Sequence, residues 1–124
     1  MFELTINDKV YKFKFGMGFL RELNKKVNMP MQGVPEIKKN IGFQYYLSGL
    51  IDGSLEDLVE ILYCANQGYS PRITKDTLDN FIDNEETDID ELIENVMGFL
   101  KKANATKKTT IAMLDEVEKA KAEA

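Results

Sequence analysis

Phe2-Glu-Leu-Thr-Ile-Asn-Asp-Lys-Val-Tyr-Lys-Phe-Lys-Phe15 opens the chain, and its reading decides the fold. Phe2, Leu4 and Ile6 alternate with Glu3 and Thr5, while Tyr11, Phe13 and Phe15 alternate with Lys12 and Lys14. Period two on both sides of Asn7-Asp8-Lys9 predicts a β-hairpin with one aromatic face and one charged face. A lone hairpin is marginal in water, so the aromatic face needs cover from the rest of the chain.

That cover is helical. Gly16 and Gly18 interrupt the alternation, after which Leu20, Leu23 and Val27, with Phe19 alongside, fall at helical spacing. Asn28–Pro35, with two prolines and a glycine, reads as a loop. Ile41–Ile51 is apolar almost all round, which predicts a buried helix. Ser54 reads as the N-cap of the next, with Glu56 and Asp57 in its first turn and an apolar stripe of Leu55, Leu58, Val59 and Leu62. Asn66–Pro71 reads as a loop. Thr74 is the following N-cap, with Ile73 and Leu78 placed as a hydrophobic staple, and that short helix carries Phe81 and Ile82.

Asp88 and Glu91 form an acidic version of the capping box and open the clearest helix. Its inner face is Ile89, Leu92, Ile93, Val96 and Leu100, and Lys101 and Lys102 close its last turn. Beyond Ala103 the sequence becomes polar, with Ile111, Leu114 and Val117 alone at helical spacing. The expected fold class is α+β, mostly α: an N-terminal β-hairpin followed by four or five helices and a mobile C-terminal helical tail. The expected division is one globular domain over 1–104 and a flexible or separately helical tail over 105–124.

With 124 residues, 44% of them hydrophobic and 30% charged, the chain has the balance of one globular domain and enough length for a core. It has no His, which removes the commonest general base and neutral metal ligand, and one Cys, which rules out an internal disulfide or a thiolate cage. The first residues lack the basic start and apolar block of a signal peptide. The longest apolar run, Ile61–Ala65, is far short of the roughly 18 residues of a membrane span, so neither export by that route nor embedding is expected.

The net charge of −5 is unevenly spread. Residues 1–75 hold 10 basic and 8 acidic side chains, and residues 101–124 hold six lysines and four acids. Residues 76–100 hold nine acids and no Lys or Arg. An acidic protein of this kind is a poor phosphate-backbone binder, so no nucleic acid is expected as partner. Within the block, Asp83, Glu85, Glu86, Asp90 and Glu94 are the candidate electrostatic assembly face, attracting the basic segments that flank it in another copy.

Catalytic, cofactor and metal sites are not expected. Counted from Asp83 as a calcium loop, the acids put Asp88 where Gly is needed and Asp90 where an apolar residue belongs, and a loop followed by a capped helix explains them as well. Cys64, in Ile-Leu-Tyr-Cys-Ala, reads as a small buried hydrophobe. Lys12 and Lys14 lie opposite the hairpin aromatics, which argues against base stacking and for core. Met29 and Met31 lie outside the apolar stripes and read either as adaptable partner contacts or as gap-filling core. Ile111, Leu114 and Val117 form an apolar trio suited to a helix-in-groove contact with a partner.

The order of features carries a resemblance. The hairpin Phe2–Phe15 leads into Phe19-Leu-Arg-Glu-Leu-Asn24, and later come Leu47-Ser-Gly-Leu-Ile-Asp-Gly53 and Leu55-Glu-Asp-Leu-Val-Glu-Ile-Leu-Tyr63. Over roughly the first 100 residues this resembles the tail assembly chaperones of long, non-contractile-tailed phages and prophages of Gram-positive bacteria. The resemblance implies a non-enzymatic, cofactor-free protein of the host cytoplasm, absent from the mature virion. It also implies partners: a tape measure protein to coat, major tail subunits to recruit, and other copies in a homo-oligomer. A different class is an acidic phage-encoded adaptor or inhibitor that mimics nucleic acid towards a host nucleic-acid-binding protein. It would need carboxylates spread along one surface at phosphate-like spacing, whereas several here stand at helix starts.

Overall fold

The computed structural model describes residues 1–123 and has two antiparallel hairpins and six helices. Strands β1 (Phe2–Ile6) and β2 (Lys9–Phe13) pair with Phe2 opposite Phe13 and Leu4 opposite Tyr11. Asn7 and Asp8 both take positive φ, 53° and 65°, the two-residue turn whose twist matches the strands it joins. Phe2, Ile6, Tyr11, Phe13 and Phe15 are buried, while Lys12 and Lys14 are exposed. The alternation therefore sorts the two faces as expected.

Helix α1 (Met17–Asn24) buries Phe19 and Leu23. Val27, which the helical spacing groups with it, lies beyond its end, and its carbonyl accepts the Ile41 N–H at 2.8 Å. This bond closes the base of a second hairpin, β3 (Asn28–Met31) and β4 (Val34–Asn40), where a loop was expected. The loop reading fails for two physical reasons. A two-stranded ribbon consists of edges, where proline's missing donor is tolerated, and Gly33 at φ +84° supplies the tight turn between the two strands. Neither strand has a buried side chain, so no burial alternation marks them.

Helix α2 (Gly42–Ile51) buries Phe43, Leu47 and Leu50 but exposes Gln44, Tyr45 and Ser48. It is a surface helix with one core face, not the wholly buried one that its composition suggests. Its entry is capped from outside: the Asn24 side-chain oxygen accepts the Phe43 N–H at 2.8 Å. Helices α3 (Leu55–Ala65), α4 (Lys75–Asp83) and α5 (Ile89–Lys102) begin at the expected caps. The side chains of Ser54, Thr74 and Asp88 accept from the N–H groups of Asp57, Thr77 and Glu91. Ile73 and Leu78 are both buried at the start of α4, as a staple requires.

Helix α6 (Lys107–Glu123) meets α5 and α2. Its contact begins with Thr106 and Thr110, both fully buried, whose hydroxyls donate to the Leu100 and Thr106 carbonyls at 2.7 and 2.8 Å. Met113 packs beside them, half-buried.

One core joins these elements. Aromatic rings run through it from the hairpin: Phe2 lies 5.6 Å from Phe13 and 5.3 Å from Phe99 of α5, Phe15 lies 5.2 Å from Phe19, and Phe19 lies 6.1 Å from Phe43 of α2. The hairpin is fixed to the end of α3 by Lys14 N–H donating to the Ala65 carbonyl at 2.8 Å. Asn66, wholly buried, donates to the Lys12 and Pro71 carbonyls at 2.9 and 3.3 Å and accepts from Ile73 N–H and Arg72 Nη1 at 2.7 and 3.1 Å.

Two predictions follow from this packing. A Cβ on Gly42 would collide with the Leu23 carbonyl, whereas one on Gly98 in α5 meets nothing. Gly42→Ala should therefore lose about 2 kcal/mol of unfolding free energy in a denaturant titration, from forced separation of α1 and α2. Gly98→Ala should gain about 0.5–1 kcal/mol from helix propensity, and equal effects at the two sites would contradict the close approach. Burial pushes the Cys64 thiol above its usual pKa, with Lys26 opposing. The neutral thiol's stabilisation is thus complete below the ordinary thiol pKa and is lost as pH rises through the folded value. A disulfide reagent at mildly alkaline pH should label the native protein at least about tenfold more slowly than the denatured chain, and equal rates would place the thiol at the surface.

Candidate functional site

The described surface offers three features of distinct chemistry. The first is an apolar groove of about 480 Å³ where the start of β1, the end of β2 and the last turns of α5 meet. Met1, Phe2, Phe15, Met17, Phe99 and Ala103 line it. Phe2 and Phe15, almost wholly buried, form its floor from the core side. Met17 stands at the first turn of α1, 56% exposed, and Phe99 is also exposed. Phe99 stands seven residues after Leu92 and three after Val96, on the flank of the α5 core stripe, and that helical spacing is the signal by which the sequence marks it as packed towards the hairpin.

The second is an open cleft of about 750 Å³ between β1 and the α4–α5 corner. Its apolar wall is Leu4, Ile6, Phe81 and Leu92, and Glu86, Asp88 and Glu91 stand around it. The corner is held by Thr87, whose hydroxyl donates to the Phe81 carbonyl at 2.6 Å, and by Asn84, whose side chain accepts the Glu86 N–H at 2.9 Å. Of the five acids expected as an assembly face, Glu86 lines this cleft. Asp83 ends α4, Glu85 sits in the corner, and Asp90 and Glu94 lie on α5; all five are exposed. None of the nine acids between Asp76 and Glu94 makes an ion pair among the described residues.

The third is the β3–β4 hairpin, where Met29 and Met31 are exposed on β3. The tail trio divides: Ile111 is exposed, and Leu114 and Val117 are half-buried along α6.

A fourth polar cluster, around Glu60, is structural in its chemistry. Lys75 and Lys26 reach the Glu60 carboxylate at 2.6 and 3.6 Å, and Arg72 stacks on the Tyr63 ring 4.0 Å from its centre. The hydrogen bond to Glu60 holds the Lys75 amine above its usual pKa, and burial, then the charges of Glu60 and Asp57, raise the Tyr46 hydroxyl. Both groups keep their protons at neutral pH, the reverse of what a nucleophilic amine or a phenolate base requires. Among the described residues no three His, Cys, Asp or Glu side chains are grouped to hold a metal ion, and no helix is long and apolar enough to cross a membrane.

Residues 3–114 match a family model described as phage tail assembly chaperone protein, TAC. No curated protein and no solved structure matches the chain.

Proposed function

The chain belongs to the phage tail assembly chaperone family, and from that premise we propose that it binds the tape measure protein and recruits major tail subunits around it. The observation that carries this reading is the apolar groove of Met1, Phe2, Phe15, Met17 and Phe99. A tape measure is a long chain that must be kept from aggregating before the tail tube encloses it. Exposed Met and Phe side chains present apolar area that re-packs around different sequences, as a chaperone for a long and varied chain requires. An amphipathic helix laid in the groove would bury one side-chain row against Met1, Met17 and Phe99, with Phe2 and Phe15 beneath them.

Met29 and Met31 on the free hairpin, and Ile111, Leu114 and Val117 along α6, extend the apolar contact beyond the groove in this reading. Binding is the whole activity: the role is non-enzymatic, carried out in the cytoplasm of the bacterial host, with the chaperone left out of the finished particle.

The test is a titration of the full chain with a helical tape measure fragment. Met17→Asp should weaken binding roughly tenfold or more, because it puts a charge where apolar surface must be covered, whereas Met17→Leu should bind like the parent. Ile111→Asp, on the exposed flank of α6, should cost several-fold. Both aspartate variants should keep the parent's thermal midpoint, since neither residue is part of the core. Undiminished binding by Met17→Asp would remove the groove from the contact, and no binding by the parent protein would remove the tape measure as its partner.

A further inference from the structure

We propose that the β3–β4 hairpin is an arm that docks into the acidic cleft of a second copy of this chain. The hairpin is uncovered within its own protomer. Met29, Met31 and Ile37 are 49%, 43% and 51% exposed, and every other residue of the two strands is exposed except the half-buried Val34. A two-stranded hairpin without a packed face has little stability of its own, so a ribbon of this composition is completed by an external surface.

Its chemistry specifies that surface. Met29 pairs with Lys39 across the ribbon, so these two share one face, and the exposed Ile37 follows in the bulged stretch where the register shifts between Pro30 and Met31. Lys38 stands on the other face, opposite Pro30. Neither Lys38 nor Lys39 makes an ion pair among the described residues. The arm thus offers apolar side chains flanked by two free cations.

The cleft offers the converse. Leu4, Ile6, Phe81 and Leu92 give it an apolar wall, and Glu86, Asp88 and Glu91 surround that wall with carboxylates that make no ion pair among the described residues. One side of it is β1, which pairs only with β2, so its second edge has no strand partner. That edge gives an incoming strand main-chain partners while the methionine and isoleucine side chains meet the apolar wall. Apolar area, charge and backbone therefore all match between the two features.

The contact joins different surfaces on the two copies, hairpin to cleft: reciprocated, it closes a two-fold dimer, and unreciprocated, it runs head to tail into a ring or filament. The inference concerns copies of this chain alone and stands apart from the tape measure reading.

Sedimentation velocity of the full-length protein tests it, without any tape measure fragment. The parent should form concentration-dependent oligomers that shift towards monomer as salt screens the lysine–carboxylate attraction. The double variant K38E/K39E and the double variant E86K/E91K should each weaken self-association roughly tenfold, with far-UV spectra unchanged because all four residues are exposed. An equimolar mixture of the two double variants should recover assembly, since the reversed arm of one fits the reversed cleft of the other. A parent that stays monomeric at all concentrations would overturn the proposal, as would variants that assemble like the parent, or a mixture that fails to recover.

Discussion

Asn66 is a fully buried amide whose two N–H groups and one oxygen all find partners within the protein. A buried polar group of this kind destabilises the fold unless each bond is made, so its position constrains everything it touches. It touches β2 through the Lys12 carbonyl, the chain before α4 through Pro71 and Ile73, and α3 directly, since it is that helix's C-cap. The N-terminal hairpin, the central helix and the entry to α4 are thereby locked into one arrangement. With the Lys14–Ala65 bond beside it, the aromatic face of the hairpin has only one way to lie on the helices.

From that arrangement the surfaces follow. Fixing the hairpin against α3 sets β1 beside the α4–α5 corner with one edge open, which creates the acidic cleft. The same placement lays Phe2 and Phe15 against the last turn of α5, where Phe99 meets them at 5.3 and 6.3 Å and the apolar groove forms. The protein thus carries an apolar groove and an acid-rimmed cleft on one frame, the surfaces on which the two proposed contacts rest.

The helix starts were legible because capping is local: Ser54, Thr74 and Asp88 each satisfy an N–H within three residues, so three positions of sequence contain the whole interaction. The aromatic hairpin was legible because alternation reports burial. The second hairpin was not, because its strands bury nothing and so leave no periodic trace. The docking of α6 through Thr106 and Thr110 escaped notice for a related reason. Threonine is counted as polar, yet here each hydroxyl donates to a nearby carbonyl, and what remains to be packed is a methyl group. The long-range cap of α2 by Asn24 has no local signature at all.

Composition, periodicity and short-range capping determined which segments become the first hairpin and the helices, that an acidic block faces solvent, and that no histidine chemistry and no internal disulfide is available. These properties depend on each residue's own type and its neighbours within a turn or a strand. Tertiary structure alone decided where the grooves lie, that Phe99 joins Phe2 and Phe15, that Glu86 stands beside an open strand edge, and that the hairpin bearing Met29 and Met31 stands uncovered. Each of these depends on contacts between residues tens of positions apart. Their geometry is fixed only when the buried amide, the aromatic core and the close approach of α1 to α2 are satisfied together.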